Sequence, residues 1–375
     1  MILPAVAGFL IVAVVLWEAF ETIILPRRVA RRFRFTVLVY RATWFPWRAI
    51  AHLFRKTKSR ETFLSIYGPL SLLFLFAVWA AVIICGFGLL YYSNSIQDST
   101  HPTYARCVYL SGTTMFTLGI GDVVPHTRME HVLVVIESGL GFGFLALILS
   151  YLPVIYQAFS RREVNIVLLD ARAGSPPTAA ELLRRHAGAH YAQDLESLLR
   201  DWERSSADIL ESHVSYPAVC YFRSQHNNES WLAALTAILD TSSLLLAFVD
   251  HVSVRQARLT FAMSRHSVVD LAQVFGQKPI QHSPDRLPPS ELARLRALLT
   301  QSGFQLRDDE ESHKKLATLR AMYEPYLLTL SRFLYMEIPP WILAKEISDN
   351  WKTSAWGRIS GLTAPDRVGP DDHGD

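Results

Sequence analysis

Apolar residues concentrate in three long runs near the start of the chain, Ile2 to Leu25, Ile66 to Tyr92 and His131 to Tyr156. Each is long enough for a helix that crosses a bilayer. Between the second and third lies a shorter stretch, Thr103 to Phe116, of helix length and with Thr103 at the N-cap place. Beyond Arg161 the pattern changes to helical patterning of the kind found in aqueous domains, over Thr178 to Ser212, Ser230 to Val249, Val252 to Phe275, Pro289 to Ser302 and Asp308 to Met336, with a linker at Lys278 to Pro288. Thr178 and Glu181 have the spacing of a capping box. Glu163 to Ala171 is too short and ambiguous to assign, and Gly174 to Pro177 reads as a break. The pattern divides the chain into an N-terminal transmembrane helix (1–25), a basic segment (26–61), a membrane module (62–160), a mostly α-helical domain (161–362) and a Gly-, Pro- and Asp-rich tail (363–375) that is expected to be disordered.

One apolar stretch of the second half, Trp231 to Val249, also has nearly the length of a membrane span. Asp240, Thr241, Ser242 and Ser243 at its centre favour a buried core helix, and a further span would reverse the side of everything after it. Half of all residues are hydrophobic and the net charge is only +3, a balance that points to no nucleic-acid partner.

Charge position says more than charge total. Arg27, Arg28, Arg31, Arg32, Arg34, Arg41, Arg48, Arg55, Lys56, Lys58 and Arg60 lie between the first and second runs, whereas Ser93 to Glu130 holds only Arg106 and Arg128. The positive-inside rule therefore places the first loop in the cytoplasm, the amino terminus outside and the C-terminal domain inside. The expected location is the plasma membrane, crossed several times. The first run lacks a preceding basic region and a small-residue cleavage site, so it reads as a retained helix, with Trp17 at its cytoplasmic interface and Glu18 and Glu21 at a wet helix end. In Phe35 to Phe54, the stripe Arg27, Arg34, Arg41, Arg48 and Arg55 recurs every seven residues. A voltage sensor needs arginines about twice as often, and Pro46 interrupts the stretch, so an amphipathic helix in the cytoplasmic interface is the favoured reading.

Candidate chemistry sits between the second and third runs, where Thr117 to Asp122 read T-L-G-I-G-D. A backbone that turns successive carbonyls to one side needs left-handed dihedrals at alternate residues, which Gly119 and Gly121 adopt without steric cost. With a pore-helix-like stretch before it and an apolar run on each side, this hexapeptide resembles the selectivity-filter signature of the potassium-channel superfamily, over about residues 66–156. The resemblance implies an all-α membrane protein with outer helix, re-entrant pore helix, filter and inner helix. It implies that the carbonyls of Thr117, Leu118, Gly119 and Ile120, with the Thr117 hydroxyl, hold K+. Because the chain carries one such segment, it also implies a homotetramer in the lipid bilayer. Thr113 and Thr114 resemble the hydroxyl residues that precede such filters. Asp122 is expected at the outer mouth, where it would concentrate cations.

Two positions depart from the family pattern. Ile120 stands where potassium-selective filters carry Tyr or Phe, which leaves Tyr109 to pack behind the filter. Thr113 stands where some relatives carry an acid that pairs with the filter aspartate, so Asp122 needs another partner. In the third run, Gly139, Gly141 and Gly143 permit either a hinge, with Gly141 the closest positional match, or close helix packing. Pro153 resembles the kink near an intracellular gate, or marks the membrane exit. Glu137, an ionisable group inside a span, is expected at the cavity wall under the filter, the alternative being a bond to Thr113, Thr114 or Ser111 behind it.

The C-terminal domain shows no G-x-G-x-x-G after a strand, so a nucleotide-binding regulatory domain is not evident. His186, His190 and Asp194 share a helix face that reads as solvated rather than metal-binding, and Cys85, Cys107 and Cys220 are too scattered for a zinc site or disulfide. No nucleophile, base and metal constellation is present, so no enzyme activity is expected, and permeant K+ replaces any cofactor. The resulting expectation is a potassium-selective channel gated or assembled by its helical domain. The alternatives are a weakly selective monovalent cation channel, because of Ile120, and a membrane-anchored receptor or enzyme with a non-conducting pore.

Overall fold

Each long apolar run folds as a helix in the computed structural model, which describes residues 2–25, 35–95, 103–188, 191–225, 228–249, 253–281 and 284–343. The basic cluster from Arg27 to Arg34, His190 and the tail lie outside the described residues. Apart from an isolated bridge between Val249 and Leu306, the described structure is helical, and it separates into two units. One comprises residues 1–159 with Ala218–Phe222; the other comprises Ser160–Pro217 and the residues from Arg223 onward.

In the first unit, α1 (Ile2–Ala19) continues into a π-helical turn, Phe20–Ile24. It lies along α3 (Thr57–Ser95), and a Cβ added to Gly8 would come 2.6 Å from the Gly86 carbonyl. Only glycine lets these two backbones approach so closely, as small residues do between membrane helices. The end of α1 is not the wet terminus expected from sequence. Glu18 and Glu21 are buried; Thr36 N–H donates to Glu18 Oε1 at 2.9 Å and Trp17 Nε1 to Glu21 Oε1 at 2.6 Å. A carboxylate leaving water must find donors, and the start of α2 (Phe35–Ala51) supplies one.

The α2 helix contains Pro46 and is not among the described helices long and apolar enough to cross a membrane. Its Trp44 is buried against Tyr67 and Tyr221, at centroid distances of 4.7 Å and 5.0 Å, while Trp47 stacks on Phe63 at 4.4 Å. The short helix α4 (Tyr104–Met115) precedes α5 (Arg128–Ala173), a single helix of 46 residues. Thr103 occupies the N-cap of α4 but its side chain makes no capping bond. Glu163 to Ala171, unassignable from its own short window, extends α5 until Gly174 takes a φ of +80°.

In the second unit, the expected helix over Thr178 to Ser212 is instead α6 (Ala179–His186) and α7 (Tyr191–Ser215). Thr178 Oγ1 accepts from Glu181 N–H at 3.2 Å, one half of the expected capping box, while the Glu181 carboxylate accepts from Arg184 and Arg185 and Thr178 N–H donates to Ala173 O. Helix α8 (Trp231–Phe248) is the core element, followed by α9 (Val254–Val274) and α10 (Pro289–Gln301). Asp308 to Met336 divides into α11 (Glu310–Ala321) and α12 (Glu324–Leu334), with Pro325 in the first turn of α12.

Every residue of α8 is buried. Arg286 meets Asp240 through two nitrogens, at 2.8 and 3.2 Å, and the Tyr323 hydroxyl donates to Asp240 Oδ1 at 2.6 Å. Thr236, Thr241 and Ser243 each donate to the carbonyl four residues back. A bidentate guanidinium and local hydroxyl bonds make this polar centre compatible with a dry core.

Candidate functional site

The α4 helix runs directly into T-L-G-I-G-D, and its last carbonyls set the start of that segment. Phe116 N–H donates to Gly112 O at 3.1 Å, Thr117 N–H to Thr114 O at 2.9 Å, and Leu118 N–H to Thr113 O at 2.8 Å. Thr113 Oγ1 turns back to Leu110 O at 2.9 Å. Thr113 and Thr114 therefore act on the segment through backbone carbonyls.

From that anchor the backbone alternates. Thr117, Gly119 and Gly121 have φ of +54°, +56° and +81°. The two glycines were expected from sequence; Thr117 was not, because a β-branched residue in the left-handed region is disfavoured by roughly 1–3 kcal/mol. It is held there by hydrogen bonds immediately before and after its Cα. A side chain at Gly119 or Gly121 would meet open space, so backbone conformation rather than crowding demands glycine.

The far end of the segment is tied as well. The Asp122 carboxylate accepts from Val123 N–H at 3.0 Å, and the exposed Tyr109 ring lies near it. Beyond Pro125, Glu130 Oε2 accepts from His126 N–H at 2.7 Å and Thr127 N–H at 3.2 Å, while Thr127 Oγ1 accepts from Glu130 N–H at 3.1 Å. T-x-x-E at positions 127–130 is a capping signature readable in the sequence, and it fixes where α5 begins.

Glu137 is packed between helices of its own chain. It has no exposed surface even in a single chain, and accepts hydrogen bonds from the Tyr91 hydroxyl at 2.7 Å and from the Ser111 hydroxyl. Of the partners considered from sequence, Ser111 is the one it meets, and Tyr91 is a second that sequence spacing did not suggest. A carboxylate within an apolar helix needs donors, and the two hydroxyls satisfy that need from behind α4.

The three glycines of α5 are not equivalent. A Cβ at Gly141 would overlap the Met115 carbonyl, whereas Gly139 and Gly143 face open space. Gly141 is a packing position against the end of α4. Pro153 is exposed within a helix that continues for twenty more residues, to Ala173, so it does not mark the helix end. Leu118 and Ile120 are exposed, as are Val135, Phe142, Leu145 and Leu149 along α5. Among the described residues no group of three His, Cys, Asp or Glu side chains is arranged to hold a metal ion, and His190 falls outside them.

Residues 65–157 match the family model described as Ion channel, so this segment resembles the ion-channel superfamily. An uncharacterized membrane protein, YdjJ of Bacillus subtilis (strain 168), is 23% identical over 192 residues, which cover 49% of this chain and 54% of that protein. The chain therefore spans about half the length of this curated relative. No solved structure matches the chain. These similarities and the apolar helices make it a membrane protein with an ion-channel-like segment.

Proposed function

We propose that the chain is a potassium-selective channel whose pore is formed by four copies, with Thr117 to Asp122 as its filter. The observation that carries this reading is the alternation of left-handed backbone at Thr117, Gly119 and Gly121 directly after α4. A chain with φ alternating in sign can turn consecutive carbonyls toward one side. The rings of oxygen formed by Thr117, Leu118, Gly119 and Ile120 from four chains would replace the water shell of K+. One chain encloses nothing, and the exposed Leu118, Ile120 and Phe142 are apolar surfaces that a bilayer and neighbouring copies would cover. The C-terminal end of α4 would direct its negative dipole toward the permeating cation, and Asp122 would gather cations at the outer mouth.

In this reading the amino terminus lies outside the plasma membrane, α2 lies in the cytoplasmic interface, and the second unit is cytoplasmic. Gating is assigned to α5 near Pro153, with Gly141 reserved for packing.

The test is flux from liposomes containing the full-length protein, comparing K+ with Na+. Gly119→Ala serves as the blocked control, since alanine at a φ of +56° is disfavoured by about 1–2 kcal/mol in every subunit. K+ flux without Na+ flux, lost in the control, is expected. Equal fluxes would replace selectivity by the weakly selective reading suggested by Ile120, and no flux at any pH or potential would favour an anchored receptor or enzyme.

A further inference from the structure

Glu137 and Gly141 lie one turn apart on α5, and Ser111 and Met115 lie one turn apart on α4. Glu137 bonds Ser111, and Gly141 admits the Met115 carbonyl. The two helices are thus matched at two successive turns, one by a polar bond and one by backbone contact. The other flank of α4 is held by α3: a Cβ at Gly88 would lie 2.7 Å from Val108 Cγ2, and Tyr91, one turn on, reaches past α4 to the same Glu137 carboxylate. Tyr91, Ser111 and Glu137 are each completely buried, so this carboxylate joins α3, α4 and α5 beneath the surface of the chain.

Position behind α4 matters because the start of the filter hangs on α4 by hydrogen bonds to Gly112, Thr113 and Thr114. Any shift or tilt of α4 moves those carbonyls and the filter start with them. Ile120 has no hydrogen-bonding side chain and is exposed in the chain, so the segment has no polar brace of its own at that position.

We infer that Glu137, with Tyr91 and Ser111, is the positioning group for the filter: it seats α4 between α3 and α5 and so sets the geometry in which Thr117 to Asp122 face the ion. This rests on the channel reading for its effect on selectivity, but not for its effect on the order of the segment. The chemistry requires an acceptor for two hydroxyl donors and does not require a net charge. Glutamine keeps the link, its amide oxygen accepting from one hydroxyl and its NH2 donating to the other hydroxyl's oxygen. Alanine leaves both hydroxyls buried and unpaired.

The test compares wild type, Glu137→Gln and Glu137→Ala in liposomes by two measurements: the Na+ to K+ flux ratio, and hydrogen exchange of the backbone amides in residues 117–122. Glu137→Ala is expected to raise the flux ratio and to accelerate filter amide exchange by about tenfold or more, whereas Glu137→Gln stays within about threefold of wild type on both. Should Glu137→Ala not assemble, Ser111→Ala and Tyr91→Phe, which each delete one donor, are expected to give intermediate acceleration. Filter exchange unchanged in every variant would overturn the inference. So would glutamine behaving as badly as alanine, which would mean that the charge itself serves the ion. If wild type passes no ion, the channel reading fails, while the exchange measurement still decides the seat.

Discussion

Two apolar helices of this chain, α5 and α8, each carry a buried carboxylate within an apolar stretch, and each satisfies the length and composition of a membrane span. Their surroundings are opposite. All of α8 is buried inside its own unit, against 11% of the most apolar window of α5. Asp240 of α8 is met by a guanidinium and a phenol, whereas Glu137 of α5 is met by two neutral hydroxyls. Apolar composition alone therefore does not distinguish a helix largely exposed on its own chain from one that forms the centre of its unit. The partners of the buried acids differ in the same way: a full cation for Asp240, where Arg286 retains some access to solvent, and hydroxyls on adjoining helices for Glu137.

The strongest way to break this contrast is to remove the cation. Arg286→Met leaves Asp240 buried without a counter-charge and is expected to destabilise the second unit by about 3–5 kcal/mol, read by thermal unfolding in detergent. Arg286→Met combined with Asp240→Leu should recover more than half of that loss, because no unpaired charge remains. Failure of the double variant to recover would mean that the Glu324 and Pro339 contacts of Arg286, rather than its pairing with Asp240, hold the fold.

A sharper comparison uses the glycines of α5. Gly141→Val forces a side chain onto the Met115 carbonyl and is expected to destabilise by about 1–3 kcal/mol with loss of K+ flux. Gly139→Ala and Gly143→Ala meet nothing within the chain and should be neutral or gain up to about 1 kcal/mol in the same unfolding measurement. Equal damage at all three positions would make α5 a hinge or an intersubunit contact along its length rather than a helix seated at one point.

The smallest expected effect concerns acids of the second unit. Ser175 Oγ donates to Asp170 and lies 3.2 Å from Glu229 Oε1. Burial, and then the nearby Asp170 carboxylate, push the Glu229 carboxyl from its ordinary 4.5 up to about 8. Because the folded value is raised, the folded state holds a proton that the unfolded chain has released between those values. The contribution is full below the lower value and is lost as pH rises through the upper one. Glu229→Gln should flatten this dependence, narrowing the fall in melting temperature across that window by about 2–4 °C. A fall unchanged in the glutamine variant would assign it to other groups.

Much of the architecture was legible as pattern. The long apolar helices, α4, α8 and the alternating glycines are local matters of length, period and backbone sterics. Other boundaries carry local signals of their own: Pro325 divides the expected helix over Asp308 to Met336, and Gly188 follows the end of α6. The extension of α5 through Glu163 to Ala171 was not legible from that short window, yet nothing between Pro153 and Gly174 stops a helix already under way. Burial of Glu18 and Glu21 was missed because distance from the apolar run says nothing about donors such as Thr36 N–H that fold back upon it.

By itself the sequence determined that apolar helices flank a segment whose glycines permit alternating backbone, because those are properties of neighbours along the chain. The tertiary structure decided the pairs. Tyr91 and Ser111 lie 46 and 26 residues from the Glu137 they satisfy, and Arg286 lies 46 residues from Asp240. No periodicity links such positions. What selects them is the free-energy cost of leaving a buried carboxylate without donors, a cost that arises only once helices have packed and water is gone.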